Sequence, residues 1–195
     1  MKKLILYCIF LLINTLSLVS CKKGEEDPFL SLRTRKSRLT GEWKVSSYEH
    51  KEYTDDVLVV SKYFDGTNLK YTDDYSVSYS GEFTFQKDGT YESIVVENGT
   101  TETSKGNWVF LGRNKNGDVK NKEYLMLNKT FYSIENDFFG NFANVNINNF
   151  GYTGSISYKL IKLSNKEIIM RYFYEVKNDF IEDYRTEVTY TLIKK

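Results

Sequence analysis

The stretch Leu39-Thr40-Gly41-Glu42-Trp43-Lys44-Val45 decides the fold of this chain. From Gly41 onward the side chains follow a period of two, as in a β-strand whose successive residues point to opposite faces. One face carries Trp43, Val45 and Ser47, and the other carries Lys44, Ser46 and Tyr48. The Gly-x-Trp at residues 41–43 therefore predicts the start of a first strand, and the rest of the chain is expected to continue as strands.

Tight turns divide the sequence after this strand. Asp88-Gly89 separates two alternating segments and predicts a type I′ hairpin, which needs φ > 0 at both central residues; Asn98-Gly99 and Asn116-Gly117 repeat the device. Three further strands are predicted over 156–163, 167–176 and 184–193. The pattern indicates an all-β domain at 39–195, most simply an antiparallel up-and-down barrel of about eight to ten strands that leaves no open edge.

Residues 21–38 precede this domain as a tether and a short helical collar. Lys22 to Asp27 are small or charged, which predicts a solvated tether. Asp27 can cap a helix and Pro28 suits its first position, so one short N-terminal helix is predicted before the barrel. Phe29, Leu32 and Leu39 are expected to share the buried side of this collar.

Residues 1–20 have the composition of an export signal. Lys2 and Lys3 form a basic start, and the apolar run that follows is shorter than the roughly 20 residues of a membrane-spanning helix. Removing this segment takes away two of 27 basic residues and leaves 25 against 26 acidic ones, a formal charge of −1. That balance gives no indication of a nucleic-acid partner.

Leu18-Val19-Ser20-Cys21 resembles the lipobox of bacterial lipoproteins. The resemblance implies cleavage before Cys21 and acylation of that cysteine, so that the partner is a membrane bound through a lipid anchor. A plain cleaved signal is the alternative. The run Lys22–Asp27 is similar to a signal that sends lipoproteins to the surface of one Gram-negative group. An outer-membrane, lipid-anchored and cell-surface-exposed location is therefore expected.

Four motifs in order resemble the lipocalins, and more closely the lipocalin-like lipoproteins of Gram-negative bacteria. They are Leu39–Trp43, Phe83–Thr90, Gly106–Trp108 and Ile161–Glu167. The resemblance implies that Gly41 and Trp43 close one end of the barrel, with an arginine stacked on the indole. Arg38 and Arg185 are the two candidates for that arginine. The segments 55–80 and 131–155 have no fixed counterpart in eight-stranded lipocalins.

Catalytic and metal-binding chemistry is not indicated. His50 is the sole histidine, so no site built on several histidines can form, and it is expected to be an exposed strand residue. Asp55-Asp56 and Asp73-Asp74 lack the alternating spacing of a calcium loop and are interpreted as turn residues. We therefore predict no enzyme activity, no catalytic residue, no metal and no cofactor.

The aromatic content, 16 Tyr, 13 Phe and 2 Trp, supports two hypotheses. In the first, the barrel binds a small hydrophobic or amphipathic ligand, or a glycan, with 131–155 as a lid. In the second, aromatic side chains fill the barrel, which then serves as an adhesion or assembly module of a cell-surface complex. The oligomeric state is left open. The ligand-binding residues predicted for the first hypothesis are Phe83, Phe85, Tyr91, Trp108, Tyr124, Tyr158, Tyr172 and Tyr190.

Overall fold

A computed structural model describes residues 24–28, 31–73, 75–113, 119–136, 140–146, 154–177 and 182–195. The predicted export signal at 1–20, Cys21, Phe29 and the Asn116-Gly117 turn lie outside these ranges. The described chain forms a short helix and an antiparallel sheet of 11 strands. These elements are α1 (Arg35–Leu39), β1 (Gly41–Thr54), β2 (Val57–Phe64), β3 (Asn68–Tyr71), β4 (Ser76–Phe85), β5 (Thr90–Glu97), β6 (Thr100–Phe110), β7 (Tyr124–Asn136), β8 (Gly140–Asn146), β9 (Gly154–Leu163), β10 (Glu167–Val176) and β11 (Tyr184–Lys194).

The sheet closes on itself, which confirms the predicted all-β antiparallel barrel. Ten strands form the ring in the order β6-β5-β4-β3-β2-β1-β11-β10-β9-β7, and β7 returns to β6; β8 pairs only with the second half of β7. At one end, Gly41–Lys44 of β1 pair directly with Glu82–Phe85 of β4. We call this the closed end. The opposite end, where Thr54 of β1 turns into β2, is called the open end.

The hairpin turns follow the residues that favour positive φ, with one difference from the prediction. Asn98 and Gly99 both have φ > 0, as a type I′ turn requires, and so do Asp55 and Asp56 between β1 and β2. Asp55-Asp56 is therefore a turn, as expected. At Asp88-Gly89 only the glycine has φ > 0, so the type I′ prediction is wrong there. The Asp88 carboxylate instead accepts from the backbone N–H of Thr90 at 2.9 Å.

The collar differs from the prediction in where it begins and what it buries. The helix α1 starts at Arg35, and the hydroxyl of Thr34, not Asp27, caps it by accepting from the N–H of Ser37 at 3.1 Å. Leu39 is fully buried as predicted, whereas Leu32 is fully exposed. The prediction of a shared buried side therefore fails at Leu32.

The segment 24–27 is not a solvated tether, because it is attached to β9. The N–H of Glu26 donates to the carbonyl of Ile161 at 2.8 Å, and the carboxylate of Asp27 accepts from the N–H of Leu163 at 2.8 Å. Asp27 also forms a buried ion pair with Arg35 of α1. A Cβ on Gly24 would approach the carbonyl oxygens of Leu160 and Ile161 to 2.6 Å, so only glycine fits this close approach.

The predicted loop at 131–155 is partly a hairpin. Strand β7 continues to Asn136, and β8 folds back on it so that Phe131 pairs with Asn146. The prediction of a structureless segment is wrong for these residues. Residues 137–139 and 147–153 lie outside the described ranges.

Candidate ligand-binding site

The closed end is filled around Trp43. Its indole is fully buried, and its Nε1–H donates to the carbonyl of Leu39 at 2.7 Å. The cation over the ring is Lys194, whose Nζ lies 4.9 Å from the ring centroid and donates to the carbonyl of Thr40 at 3.0 Å. Burial lowers the pKa of Lys194. Gly41 has φ +133°, a backbone conformation that other residues adopt only with strain, so glycine is favoured at this position.

The two candidate arginines lie elsewhere, which corrects the expectation of an arginine on the indole. Arg38 is buried in α1 and donates through Nη1 to the carbonyl of Leu163 at 2.6 Å, so it helps to hold the helix on the closed end. Arg185 is paired with Tyr53 near the open end, with its guanidinium carbon 4.0 Å from the centroid of that ring. It also donates to the carboxylate of Asp56 at 2.9 Å.

Four of the predicted ligand-binding residues belong to the core of the closed half. Phe83, Phe85, Tyr91 and Trp108 are buried, and Phe85 contacts Trp108 edge to face at 6.5 Å between ring centroids. Phe83 stacks with Phe85 at 6.2 Å. These rings fill the barrel, as aromatic side chains commonly do.

The other four predicted residues divide between the two faces of the wall. Tyr158 and Tyr190 point inward at mid-height, and Tyr172 also points inward, 6.2 Å from Tyr158 between ring centroids. Tyr124 alternates with the buried Leu125 and therefore points to the outer face of β7.

A layer of four tyrosines crosses the middle of the barrel, and two of them were not predicted. It consists of Tyr48, Tyr79, Tyr158 and Tyr190. Tyr48 stacks on Tyr79 at 5.7 Å and contacts Tyr190 at 4.9 Å between ring centroids. The hydroxyl of Tyr79 is buried and has no hydrogen-bond partner among the described residues.

The phenols of the tyrosine layer are expected to ionise at a higher pH than free tyrosine. Burial is the main cause that raises the pKa of all four phenols, and it raises the pKa of the neighbouring Tyr91 to about 12. The folded-state pKa thus exceeds the unfolded value of about 10, so the stability from these groups is complete below that pH and is lost as pH rises above it. Tyrosinate absorbance should rise in two phases in the folded protein and in one phase in guanidinium chloride.

The Tyr79→Phe variant assigns the late phase, because it removes one buried phenol of the layer and should reduce the absorbance change of that phase. A single folded-state transition near the unfolded value, with secondary structure intact, would contradict the burial of the layer.

Ionisable side chains lie inside the barrel above the tyrosine layer, towards the open end. A bulge between Val45 and Ser47 shifts the phase of β1, so that Tyr48, His50 and Glu52 point inward. His50 Nε2 lies 3.0 Å from a carboxylate oxygen of Glu52 and 3.3 Å from the hydroxyl of Thr186. Burial lowers the pKa of His50 more than Glu52 raises it. The prediction of an exposed histidine is therefore wrong.

The open half contains a cavity of about 350 Å³. Its aromatic wall is formed by Tyr71 and Tyr75, whose ring centroids are 5.6 Å apart. Two carboxylates, Glu97 and Glu102, enter it from neighbouring strands. Val77, Val95 and Ile134 supply its apolar surface. None of these residues was among the eight predicted from the sequence, and the cavity lies at the open end, away from most of the predicted aromatic side chains.

Over the described ranges, no three His, Cys, Asp or Glu side chains are grouped so as to hold a metal ion. The described part of the chain also contains no helix that is long and apolar enough to cross a membrane.

Comparisons with protein-family models, with curated proteins and with solved structures found no match to this chain.

Proposed function

We propose that this chain is an outer-membrane lipoprotein, anchored through acylated Cys21, whose lipocalin-like barrel binds a small amphipathic molecule in its open half. The cavity of about 350 Å³ carries the proposal, because ligand pockets in proteins begin at about 300 Å³. Its wall combines tyrosine rings, aliphatic side chains and carboxylates, which suits a molecule with an apolar body and a polar end. Ligand binding inside the barrel does not require the lipid anchor. The two parts of the proposal can therefore be tested separately.

The anchoring part is supported by sequence features. Leu18–Cys21 resembles a lipobox, and the lysine-then-acidic run after it is similar to a surface-export signal. Two or more acyl chains hold a protein on a bilayer, whereas one holds it only weakly. We infer a cell-surface location on these grounds.

A second candidate function is an adhesion or assembly module. The closed half is filled by side chains, and the tip of the β1–β2 hairpin exposes apolar residues. Val57, Leu58 and Val59 are 63%, 43% and 49% exposed. A contiguous apolar tip of this kind favours contact with another macromolecule.

Native mass spectrometry of the full-length precursor, expressed in a Gram-negative host and extracted in a gentle detergent, tests the proposal. We expect an intact mass that corresponds to a chain starting at an acylated Cys21, together with a co-purified small molecule that dissociates on denaturation. The Cys21→Ser variant should carry no acyl mass and should keep the co-purified small molecule.

A matched pair of variants on β5 tests the cavity itself. Val95→Trp places an indole in the cavity and should abolish co-purification, whereas Val96→Trp on the outer face should retain it. Equal amounts of small molecule on both variants would contradict the proposed site. A wild-type barrel without any bound molecule would favour the adhesion or assembly module.

A further inference from the structure

We propose that the open-half cavity binds the ammonium group of an amphipathic amine, with Glu102 as its counter-ion. This inference rests on the proposed function and specifies the class of its ligand. It follows from three features of the cavity: an ammonium group already held there, a second carboxylate without an ion-pair partner in the described chain, and an apolar wall opposite.

Lys62 shows how this wall holds an ammonium group. Its Nζ lies 3.4 Å from a carboxylate oxygen of Glu97 and 4.9 Å from the ring centroid of Tyr71. The hydroxyl of Tyr71 donates to the same carboxylate and so keeps the ring beside it. A carboxylate next to a tyrosine face stabilises a cation by ion pairing and by cation–π attraction together. Lys62 therefore balances the charge of Glu97 from within the protein.

Glu102 is the second carboxylate of the cavity and points inward on β6, opposite Val95 of β5. The hydroxyl of Tyr132 donates to it, and Lys129 Nζ lies 4.8 Å from the centroid of the Tyr132 ring. That carboxylate raises the pKa of Tyr132, after burial as the main cause. Across the described ranges, no Lys or Arg forms an ion pair with Glu102. A phenol can satisfy one lone pair of a carboxylate but cannot neutralise it, so an added ammonium group gains a charge-assisted hydrogen bond.

The surroundings of Glu102 provide for the rest of the ligand. Val77, Val95 and Ile134 form the apolar wall, which suits an alkyl or ring portion. The buried hydroxyl of Tyr79 lies beside Gly81, deeper in the barrel, and is not part of this wall.

Three probes with the same alkyl chain separate the charge from the apolar part: octylamine, octanol and octanoate. Calorimetry on the full barrel at neutral pH should give the order octylamine, octanol, octanoate, from tightest to weakest. Glu102→Gln keeps the shape of the side chain and should weaken octylamine binding about tenfold, as the loss of a charge-assisted hydrogen bond implies, with octanol unchanged. Glu92→Gln is the matched control, because Glu92 lies on the outer face of β5 in an ion pair with Lys105.

The outcomes distinguish this inference from the proposed function. Equal affinities for octylamine and octanol, with both lost in Val95→Trp, would overturn the ammonium preference and keep the ligand site. An equal loss in Glu102→Gln and Glu92→Gln would assign the effect to general surface charge and also overturn it. Failure of all three probes on a barrel that carries a co-purified molecule would reject the amine class alone. Failure on a barrel that carries none would reject the proposed function as well.

Discussion

Replacement of Trp43 by alanine is expected to lower the free energy of unfolding by about 3–5 kcal/mol, as for other large core residues cut to alanine. The side chain is fully buried at the closed end, where β1 pairs with β4 and β11, and α1 covers it through the hydrogen bond to Leu39. Alanine would leave a cavity under the helix and a lysine ammonium without its aromatic face. Urea unfolding followed by far-ultraviolet circular dichroism measures the loss as a shift of the midpoint.

Two further variants define the origin of this effect. Trp43→Phe keeps an aromatic ring but loses the N–H donor, so it should lie between the wild type and Trp43→Ala. Leu32→Ala removes an apolar side chain that is fully exposed in the collar, and a change within about 0.5 kcal/mol is expected. If Trp43→Ala and Leu32→Ala have similar midpoints, the closed end is not organised around the indole.

Replacement of Asp27 by alanine is expected to cost a similar amount, about 3–5 kcal/mol, because it removes one partner of a buried ion pair. The Asp27 carboxylate is inaccessible, and the Arg35 guanidinium is 5% exposed. Burial already lowers the pKa of Arg35, with Asp27 as the main opposing influence. Without that carboxylate, the N–H of Leu163 also loses its acceptor.

A double variant separates the charge from the packing. Asp27→Ala combined with Arg35→Met removes both charges and should recover much of the stability, because an apolar pair avoids the uncompensated cation. Glu25→Ala is the control, since its contact with Lys159 at 2.8 Å lies at the surface, and little change is expected. Additive losses at Asp27 and Arg35 would show that the pair is not coupled.

Turn chemistry and alternation explain why the barrel was predictable. Asn98 and Gly99 both have positive φ, a conformation that few other dipeptides adopt easily. These two residues therefore predict the turn without reference to the rest of the chain. The strand at 184–193 was predicted to within one residue of β11, because its alternation is regular and its pairing with β10 is continuous. Local patterns of this kind do not depend on distant contacts.

The site was less predictable, because its position depends on an irregularity. The bulge after Val45 exchanges the two faces of β1, and simple alternation therefore assigned Tyr48 to the outer face. A bulge leaves no clear mark in a single sequence. Aromatic residues were also an ambiguous guide, since the same side chains fill the closed half and line the open one. The ion pair between Asp27 and Arg35 depends on β9, a strand more than 130 residues further along the chain.

The attachment of residues 24–27 to β9 would determine how a lipid-anchored molecule is oriented on a membrane surface. Gly24 contacts Leu160 and Ile161, close to the closed end, and three peptide steps separate it from Cys21, a reach of about 10 Å at full extension. In the proposed acylated chain, the closed end would face the lipid headgroups and the cavity mouth would point into the surrounding water. Cargo would then arrive from the aqueous phase, without first dissolving in the bilayer.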